Sequence, residues 1–193
     1  HSHSTYSYPK EPIAQMRVSK CMQHASGVRS LCTTRLMSVR TQAAAGKDRV
    51  LITGGNTGIG FEAAKALVAT GAEVVLACRD PQRAKQAVAR LLEGQPGAQV
   101  SSVQLDLASL ASVRDCASAL NDSGRPFSVL LNNAGVMATP KMQTKDGFEF
   151  QLGTNHLGHF ALTCLLLPAI LEANRPTRIV NVASAAHMIG SMK

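Results

Sequence analysis

Short runs of aliphatic and β-branched residues alternate with longer stretches that carry apolar residues at helical spacing between positions 49 and 183. The short runs predict β-strands at Arg49–Thr53, Glu73–Cys78, Val100–Leu105, Phe127–Leu131 and Thr177–Ala183. The longer stretches predict helices at Gly58–Thr70, Pro81–Leu92 and Leu110–Leu120, and a fourth within Gly147–Glu172 that begins near Phe150 and bends at Pro168. Strands separated by helices form right-handed crossovers. The pattern therefore predicts an α/β fold, a doubly wound parallel sheet with helices on both faces.

The stretch from Val50 to Gly60 joins the first strand to the first helix through a glycine-rich turn. Gly54 permits a tight turn, Gly58 lets the backbone approach a phosphate, and Gly60 lets the helix lie close to the sheet. The N-terminus of the helix offers unpaired N–H groups and the positive end of the helix dipole. A strand, a glycine turn and a helix in this order predict a dinucleotide site. The alternative is a glycine-rich turn that binds no ligand.

The end of the second predicted strand carries the residues that would read the adenosine ribose. Arg79 lies nineteen residues after Gly60, where an acidic residue would bind the 2′-hydroxyl of NAD and an arginine can pair with the 2′-phosphate of NADP. Asp80 follows directly and is predicted to cap the helix that begins at Pro81. We therefore predict NADP as the cofactor, with NAD less favoured. The alternative is that Arg79 is a solvated loop charge.

The glycine turn carries a resemblance to a known family. Its Thr-Gly-x-x-x-Gly-Ile-Gly pattern resembles the cofactor signature of the short-chain dehydrogenase/reductase family, and three further motifs follow in the family's order. The resemblance covers residues 49 to 193 and implies a Rossmann fold that binds NAD(P). It also implies that the turn binds the cofactor through Thr53, Gly54, Asn56, Thr57, Gly58, Ile59 and Gly60.

Two further motifs follow the third and fourth predicted strands. Asp106-Leu107 resembles the family pair that lines the adenine pocket, where an Asp can accept a hydrogen bond from the exocyclic amine. The alternative for Asp106 is an acidic residue at the start of a helix. Asn132-Asn133-Ala134-Gly135 matches the family's Asn-Asn-Ala-Gly motif, whose amides can tie neighbouring strands and loops together. The resemblance assigns to the cofactor Asn133 and also Ala134 and Gly135, which leave room for its ribose.

The resemblance also places two residues beside the reacting atoms. Asn155 matches an asparagine that interrupts a helix in the family and holds a water of a proton relay. An asparagine and two glycines are unfavourable inside an apolar helix, and such conflicts often mark working sites. Ser184 matches the family's catalytic serine, which hydrogen-bonds the substrate oxygen. We interpret His156 and His159, which follow Asn155 in the chain, as packing residues.

The family's catalytic Tyr-x-x-x-Lys pair has no match in the chain. Tyr6 and Tyr8 are the only tyrosines, and both precede the domain. In the family the tyrosine transfers the proton, and the lysine lowers its pKa and holds the ribose. Because the pair normally follows the serine closely, we expect it beyond Lys193, in a protein of which this chain is a C-terminally truncated piece. The alternative is a chain without catalysis.

Together the motifs imply an NADP-dependent oxidoreductase that transfers hydride between nicotinamide and a carbonyl or alcohol carbon of a lipophilic small molecule. The run from Asn132 to Ser184 most resembles retinol-dehydrogenase-like members and a chloroplast-envelope member associated with protein import. One alternative is a protochlorophyllide-reductase-like enzyme, which Gly135 disfavours because those reductases tend to carry Ala there. Another is a non-catalytic NADP(H)-binding sensor or scaffold at the chloroplast envelope.

The positive charge is concentrated at the N-terminus. Residues 1–49 hold eight Lys or Arg against two acidic residues, and so carry six of the eight net positive charges. Residues 1–48 are also rich in Ser, Thr and Ala, which predicts an organellar transit peptide, with a disordered tail as the alternative, before a domain over residues 49–193. We expect the chloroplast as destination, with mitochondrion or cytoplasm as alternatives.

Composition also bears on partners. A basic face with a recognisable nucleic-acid module is lacking, so no nucleic-acid partner is predicted. Five scattered cysteines without a Cys-x-x-Cys pair disfavour a disulfide framework and a metal site. No uninterrupted apolar run reaches the ~18 residues of a spanning helix, so no transmembrane segment is predicted. The expected partner is a small-molecule substrate, and a homo-oligomer stays open.

Overall fold

The computed structural model describes residues 47–172 and 176–184, where strands and helices alternate. The strands are β1 (Arg49–Thr53), β2 (Glu73–Cys78), β3 (Val100–Gln104), β4 (Val129–Asn132) and β5 (Arg178–Asn181). The helices are α1 (Gly58–Ala69), α2 (Pro81–Gly94), α3 (Leu110–Asp122), α4 (Phe150–Leu152) and α5 (Gly158–Glu172), with a π-helical segment, Gly153–Leu157, between α4 and α5. The predicted transit peptide, residues 1–48, lies outside the described residues except for its last two.

All five strands belong to one parallel sheet in the order β3-β2-β1-β4-β5. The chain builds the sheet outward from β1 to β3 and then returns to the other side of β1 with β4. Val50 in β1 accordingly pairs with Val74 in β2 on one side and with Val129 in β4 on the other. The predicted doubly wound Rossmann arrangement is confirmed. Its switch point lies between the carboxyl ends of β1 and β4, where sheets of this kind bind ligands.

Alternate residues of the central strands supply two separate hydrophobic cores. Val50 and Ile52 pack in the core that contains buried residues of α1 and α2. Leu51 packs in the opposite core, with buried residues of α3 and α5. Helices therefore cover both faces, which explains why β2 is buried along its whole length.

The ends of the helices follow from local sequence signals. A carboxylate oxygen of Asp80 accepts hydrogen bonds from the backbone N–H groups of Gln82 at 2.9 Å and Arg83 at 3.2 Å, which confirms it as the cap of α2. Gly71, just after α1, has φ +84°, a left-handed value that suits glycine. Helix α5 continues through Pro168, where the predicted bend stays a prediction, and the change of hydrogen-bond register lies earlier, in the π-helical segment.

The continuous helix Phe150–Glu172 is long and apolar enough to cross a membrane on length and composition alone, the one such helix in the described part of the chain. Polar positions interrupt its apolar residues, so it contains no long apolar run, but its mean hydropathy over 18 residues is 1.3. Leu162, Leu166 and Ile170 are buried in the core on this side of the sheet, and 28% of the most apolar 18-residue stretch is buried. The absence of a transmembrane segment stays a prediction.

The outermost strand β5 is exposed along its length. Ile179 and Val180 are 38% and 43% exposed, although both are apolar. An exposed apolar strand at a sheet edge is a template for association with another chain.

We therefore expect residues 49–193, expressed alone, to accumulate mainly in the insoluble fraction. Val180→Lys should raise the soluble share, because a charge on an edge strand opposes pairing with another chain. Leu171→Lys is the matched control, since it adds the same charge at an exposed position of α5. Sedimentation of the lysate measures both. Equal rescue by the two substitutions would assign the effect to net charge and contradict the role of the strand edge.

Candidate functional site

Two adjoining clefts open at the carboxyl ends of the strands. The larger, of about 730 Å³, is lined by residues that include Asn155 and Ser184. The smaller, of about 180 Å³, is lined by residues that include Arg79 and Asp106. They meet at 134–136, which line both. The larger cleft also contains the predicted Ile59, Asn133, Ala134 and Gly135, and the smaller contains the predicted Gly54, Asn56, Leu107, Ala134 and Gly135.

The three glycines of the signature meet different constraints. Gly54 has φ +66°, and a Cβ on it would lie 2.9 Å from the Cα of Ala134, so it allows the turn to touch the end of β4. A Cβ on Gly60 would lie 2.5 Å from Nδ2 of Asn133, so its close contact is with that amide. Gly58 has φ +56°, and no neighbouring heavy atom would lie within 4 Å of a Cβ at this position. Open space therefore lies against the backbone of Gly58, as a phosphate cradle requires.

The N-terminus of α1 differs from those of α2 and α3. Asp80 and Ser109 cap the two latter helices through their side chains. Thr57, at the N-cap of α1, makes no side-chain capping hydrogen bond, and the first turn contains no acidic residue. The N–H groups that a helix leaves unpaired in its first turn are therefore not capped by Thr57. With the open space at Gly58, they fit the pyrophosphate of a dinucleotide.

The side chain of Thr53 is fully buried and its hydrogen bonds are made within the protein, so its assignment to the cofactor stays a prediction. Its Oγ1 accepts hydrogen bonds from the backbone N–H groups of Asn133 at 2.9 Å and Ala134 at 3.0 Å. Nδ2 of Asn133 in turn donates to the carbonyl of Thr53 at 2.9 Å. Thr53 therefore acts on the site indirectly. Its hydrogen bonds fix the end of β4 against the end of β1.

Asn132 ties further elements together, as predicted for the amides of its motif. Its Nδ2 donates to Oδ1 of Asn181 in β5 at 2.8 Å and to Oγ1 of Thr163 in α5 at 3.1 Å. The side chain thus joins β4 to both the neighbouring strand and the helix on one face of the sheet.

The smaller cleft brings Arg79 beside the end of the glycine turn. Arg79 is exposed and has no ion pair within the ranges that the structure describes. Asp80 is committed elsewhere, because it caps α2 and lies 3.6 Å from Nε of Arg83. The arrangement offers the cleft an unpaired cation rather than an unpaired carboxylate.

The contacts of Asp106 agree with both of its predicted roles, adenine binding and an acidic residue at the start of a helix. One carboxylate oxygen accepts from the N–H of Ala108 at 3.1 Å, close to the start of α3, and the other lies 3.6 Å from Nζ of Lys145. Asp106 and Leu107 also line the smaller cleft, so their role in adenine binding stays a prediction.

The helix interruption predicted at Asn155 is a π-helical segment, Gly153–Leu157. Oδ1 of Asn155 accepts from the N–H of Val136 at 2.8 Å, and its Nδ2 donates to the carbonyl of Val136 at 2.8 Å. The side chain therefore anchors the loop after β4 with one acceptor site and one donor, and its role in holding a relay water stays a prediction. The backbone carbonyl of Asn155 lies 2.9 Å from Nδ1 of His159.

The sequence analysis missed the role of His159. It expected packing, and the side chain is indeed buried, but both ring nitrogens lie at hydrogen-bond distance from polar atoms of the site. Burial lowers the pKa of His159 below its usual range, with the nearby His156 contributing in the same direction. The signal in the sequence was a histidine at helical spacing from the buried Leu162 and Leu166.

Comparisons with known proteins agree with this layout. The family model described as short chain dehydrogenase matches residues 48–193. Human retinol dehydrogenase 13 is 46% identical over 142 residues, which cover 73% of this chain and 42% of that protein. Human retinol dehydrogenase 12 is 46% identical over 143 residues, covering 74% and 45% respectively. The chain thus spans less than half the length of these curated relatives.

A solved structure of a short-chain dehydrogenase from Sphingobium yanoikuyae in complex with NADPH is similar in fold. It superposes with a TM-score of 0.63 at 29% identity, over 73% of this chain and 55% of that one. Menthone neomenthol reductase from Mentha piperita superposes with a TM-score of 0.62 at 29% identity, over 73% and 62%. Since the family model matches well over half of the chain, the chain belongs to the short-chain dehydrogenase family.

Proposed function

We propose that the full-length protein is an NADP-dependent oxidoreductase that transfers hydride between nicotinamide and a carbonyl or alcohol carbon. The observation that carries the proposal is the pair of adjoining clefts, which begin beside an uncapped helix N-terminus and end beside Ser184. The names of the retinol dehydrogenase relatives and the NADPH complex of a structural neighbour support the same class of reaction.

The choice of NADP over NAD rests on the smaller cleft. An exposed Arg79 without an ion pair partner in the described ranges can form a bidentate pair with the 2′-phosphate. Asp80 does not compete for a ribose hydroxyl, because its carboxylate binds N–H groups at the start of α2 and Arg83.

The larger cleft suits the nicotinamide end of the cofactor. When the cofactor is bound, the nicotinamide would supply or accept the hydride. The hydroxyl of Ser184 would donate to the substrate oxygen and orient it. The carbonyl of Asn155 would hold a water at the same end of the cleft. Met137, Phe160 and Val182 line this cleft with exposed apolar side chains, which favour a lipophilic substrate.

A non-catalytic NADP(H)-binding sensor or scaffold is the second candidate, because the glycine turn and the smaller cleft suit a nucleotide whether or not a reaction follows its binding. Fluorescence titration of the full-length protein with NADPH and NADH, followed by addition of aldehydes and ketones of increasing chain length, separates the candidates. The enzyme binds NADPH in preference and consumes it faster with the longer substrates. A sensor binds NADPH and leaves it intact, and failure to bind either nucleotide would overturn both candidates.

We further propose plastid import through residues 1–48, from their basic, acid-poor composition. A fluorescent reporter fused behind this segment, with a start methionine added, should enter plastids. Replacing Arg17, Arg29, Arg35 and Arg40 by glutamate is expected to abolish import, because transit peptides are poor in acidic residues. Microscopy of plant cells shows where each of the two reporter fusions is located. If the fusion with the native segment stays in the cytosol, the transit-peptide interpretation is wrong.

A further inference from the structure

His159 bridges two parts of the candidate site that are far apart in sequence. Its Nε2 lies 2.8 Å from Oγ1 of Thr53, at the end of β1. Its Nδ1 lies 2.9 Å from the backbone carbonyl of Asn155, in the π-helical segment. The ring itself is buried and also lines the larger cleft.

The hydrogen-bond partners fix the protonation state of this ring. Oγ1 of Thr53 accepts from the N–H groups of Asn133 and Ala134, which occupies both of its lone pairs. Its own proton must then be donated, and Nε2 of His159 at 2.8 Å is a nearer acceptor than the carbonyl of Leu131 at 3.5 Å. Nε2 is therefore unprotonated, and Nδ1 carries the proton that it donates to the carbonyl of Asn155.

We propose that His159 is a positioning residue of the cofactor site, which acts as a neutral ring through Thr53 and Asn155. By accepting the hydroxyl proton of Thr53, it keeps the lone pairs of that hydroxyl directed at the backbone of Asn133 and Ala134. By donating to the carbonyl of Asn155, it holds that carbonyl in one direction. The first contact orders the end of β4 where the two clefts meet, and the second orders the larger cleft. The proposal rests on the proposed function, because its effect is on cofactor binding.

The geometry admits only the neutral ring. A second proton, on Nε2, would face an oxygen whose lone pairs are both taken, and the hydroxyl of Thr53 would have to turn away from Asn133 and Ala134. The groups that face the ring are Thr53 from β1, the carbonyl of Asn155, and His156 from its own helical segment. Burial lowers the pKa of His159 below its usual range and His156 adds to this, while the hydrogen bond to the carbonyl of Asn155 opposes it, so the net direction agrees with the neutral ring that the geometry requires.

Two partial mimics separate the two contacts. Glutamine at position 159 can place an amide oxygen near the Nε2 position and accept from Thr53. Asparagine is shorter and can keep only a donor for the carbonyl of Asn155. We expect His159→Asn to weaken NADP⁺ binding by the full-length protein about tenfold, because the Thr53 hydroxyl loses its buried acceptor. His159→Gln should weaken it less, and isothermal titration well below the melting temperature measures both.

The pH dependence of binding is the readout that simple packing would not produce. Wild-type affinity for NADP⁺ should fall more steeply as the pH is lowered below neutrality than that of His159→Gln, which has no titratable ring at this position. The 2′-phosphate, with a pKa of about 6, is the same ligand group for both proteins, and position 159 is the one difference between them, so the difference between the two profiles isolates His159. Parallel profiles, or melting temperatures that fall while affinities stay unchanged in both variants, would overturn the proposal.

The wild-type ring provides a test that needs neither a variant nor a cofactor. Nitrogen chemical shifts of His159 in the full-length protein should give the tautomer with the proton on Nδ1. A proton on Nε2 at pH 7.5 would overturn the proposal. If this tautomer is present and the wild-type protein binds neither NADP⁺ nor NAD⁺, the proposed function fails and the bridge loses its role in binding. If the wild type binds NADP⁺ and both variants bind equally well, only the role of His159 fails.

Discussion

Replacing Ser184 by alanine in the full-length protein should lower kcat for carbonyl reduction by about 100- to 1,000-fold, with NADPH affinity changed less than about twofold. The hydroxyl lines the larger cleft together with Asn155, at the end away from Arg79. A donor aimed at the substrate oxygen stabilises the charge that develops there during hydride transfer, so its loss lowers the rate of the chemical step.

Steady-state kinetics and an NADPH titration on the same preparation check this result. Ser118→Ala is the matched control, since it removes an exposed hydroxyl of α3 that bonds only locally to Asp122. Cofactor affinity lost in parallel with kcat would place Ser184 in the cofactor site. An unchanged kcat would remove it from the reaction altogether.

Replacing Arg79 by alanine should weaken NADPH binding by about ten- to a hundredfold while leaving NADH binding nearly unchanged. The 2′-phosphate is the part of NADPH that NADH lacks, and Arg79 is the arginine that lines the smaller cleft. Arg79→Lys should give an intermediate loss, because lysine keeps the charge and loses the bidentate geometry.

Arg83→Ala is the control for Arg79, since it removes a cation four residues away that already pairs with Asp80. Dissociation constants of both nucleotides for each variant, at one fixed salt concentration, provide the comparison. Equal losses for NADPH and NADH in the Arg79 variant, or the larger selective loss in the Arg83 variant, would show that Arg79 does not read the 2′-phosphate.

Local features of the chain were predictable because they depend on neighbouring residues. The apolar run of β2 ends at Cys78, and a proline follows the capping Asp80, so the strand and the start of the next helix were placed at the right residues, while that helix ends at Gly94, two residues beyond its predicted end. The glycine signature placed the turn before α1 for the same reason. Helix α3 extends two residues beyond its predicted end at Leu120, since polar residues carry no clear stop signal there.

Contacts between distant segments were not predictable in this way. The bond between Thr53 and His159 joins positions 106 residues apart, and only the finished sheet brings them together. The sequence motif identified Asn155 as the interruption of a helix, but it could not reveal that both side-chain atoms bind the backbone of Val136. Thr53 was assigned to the cofactor for its place in the signature, whereas its burial follows from the packing of β1 between its neighbours.

Transfer of deuterium from the cofactor to the substrate tests the central claim most directly. The full-length protein would be incubated with NADPH that carries deuterium at both C4 positions of the nicotinamide and with a long-chain aldehyde, and the alcohol product analysed by mass spectrometry. We expect one deuterium in the alcohol, and far less product with Ser184→Ala. NADPH that binds but passes no deuterium to any aldehyde or ketone would contradict the enzyme and leave the non-catalytic sensor.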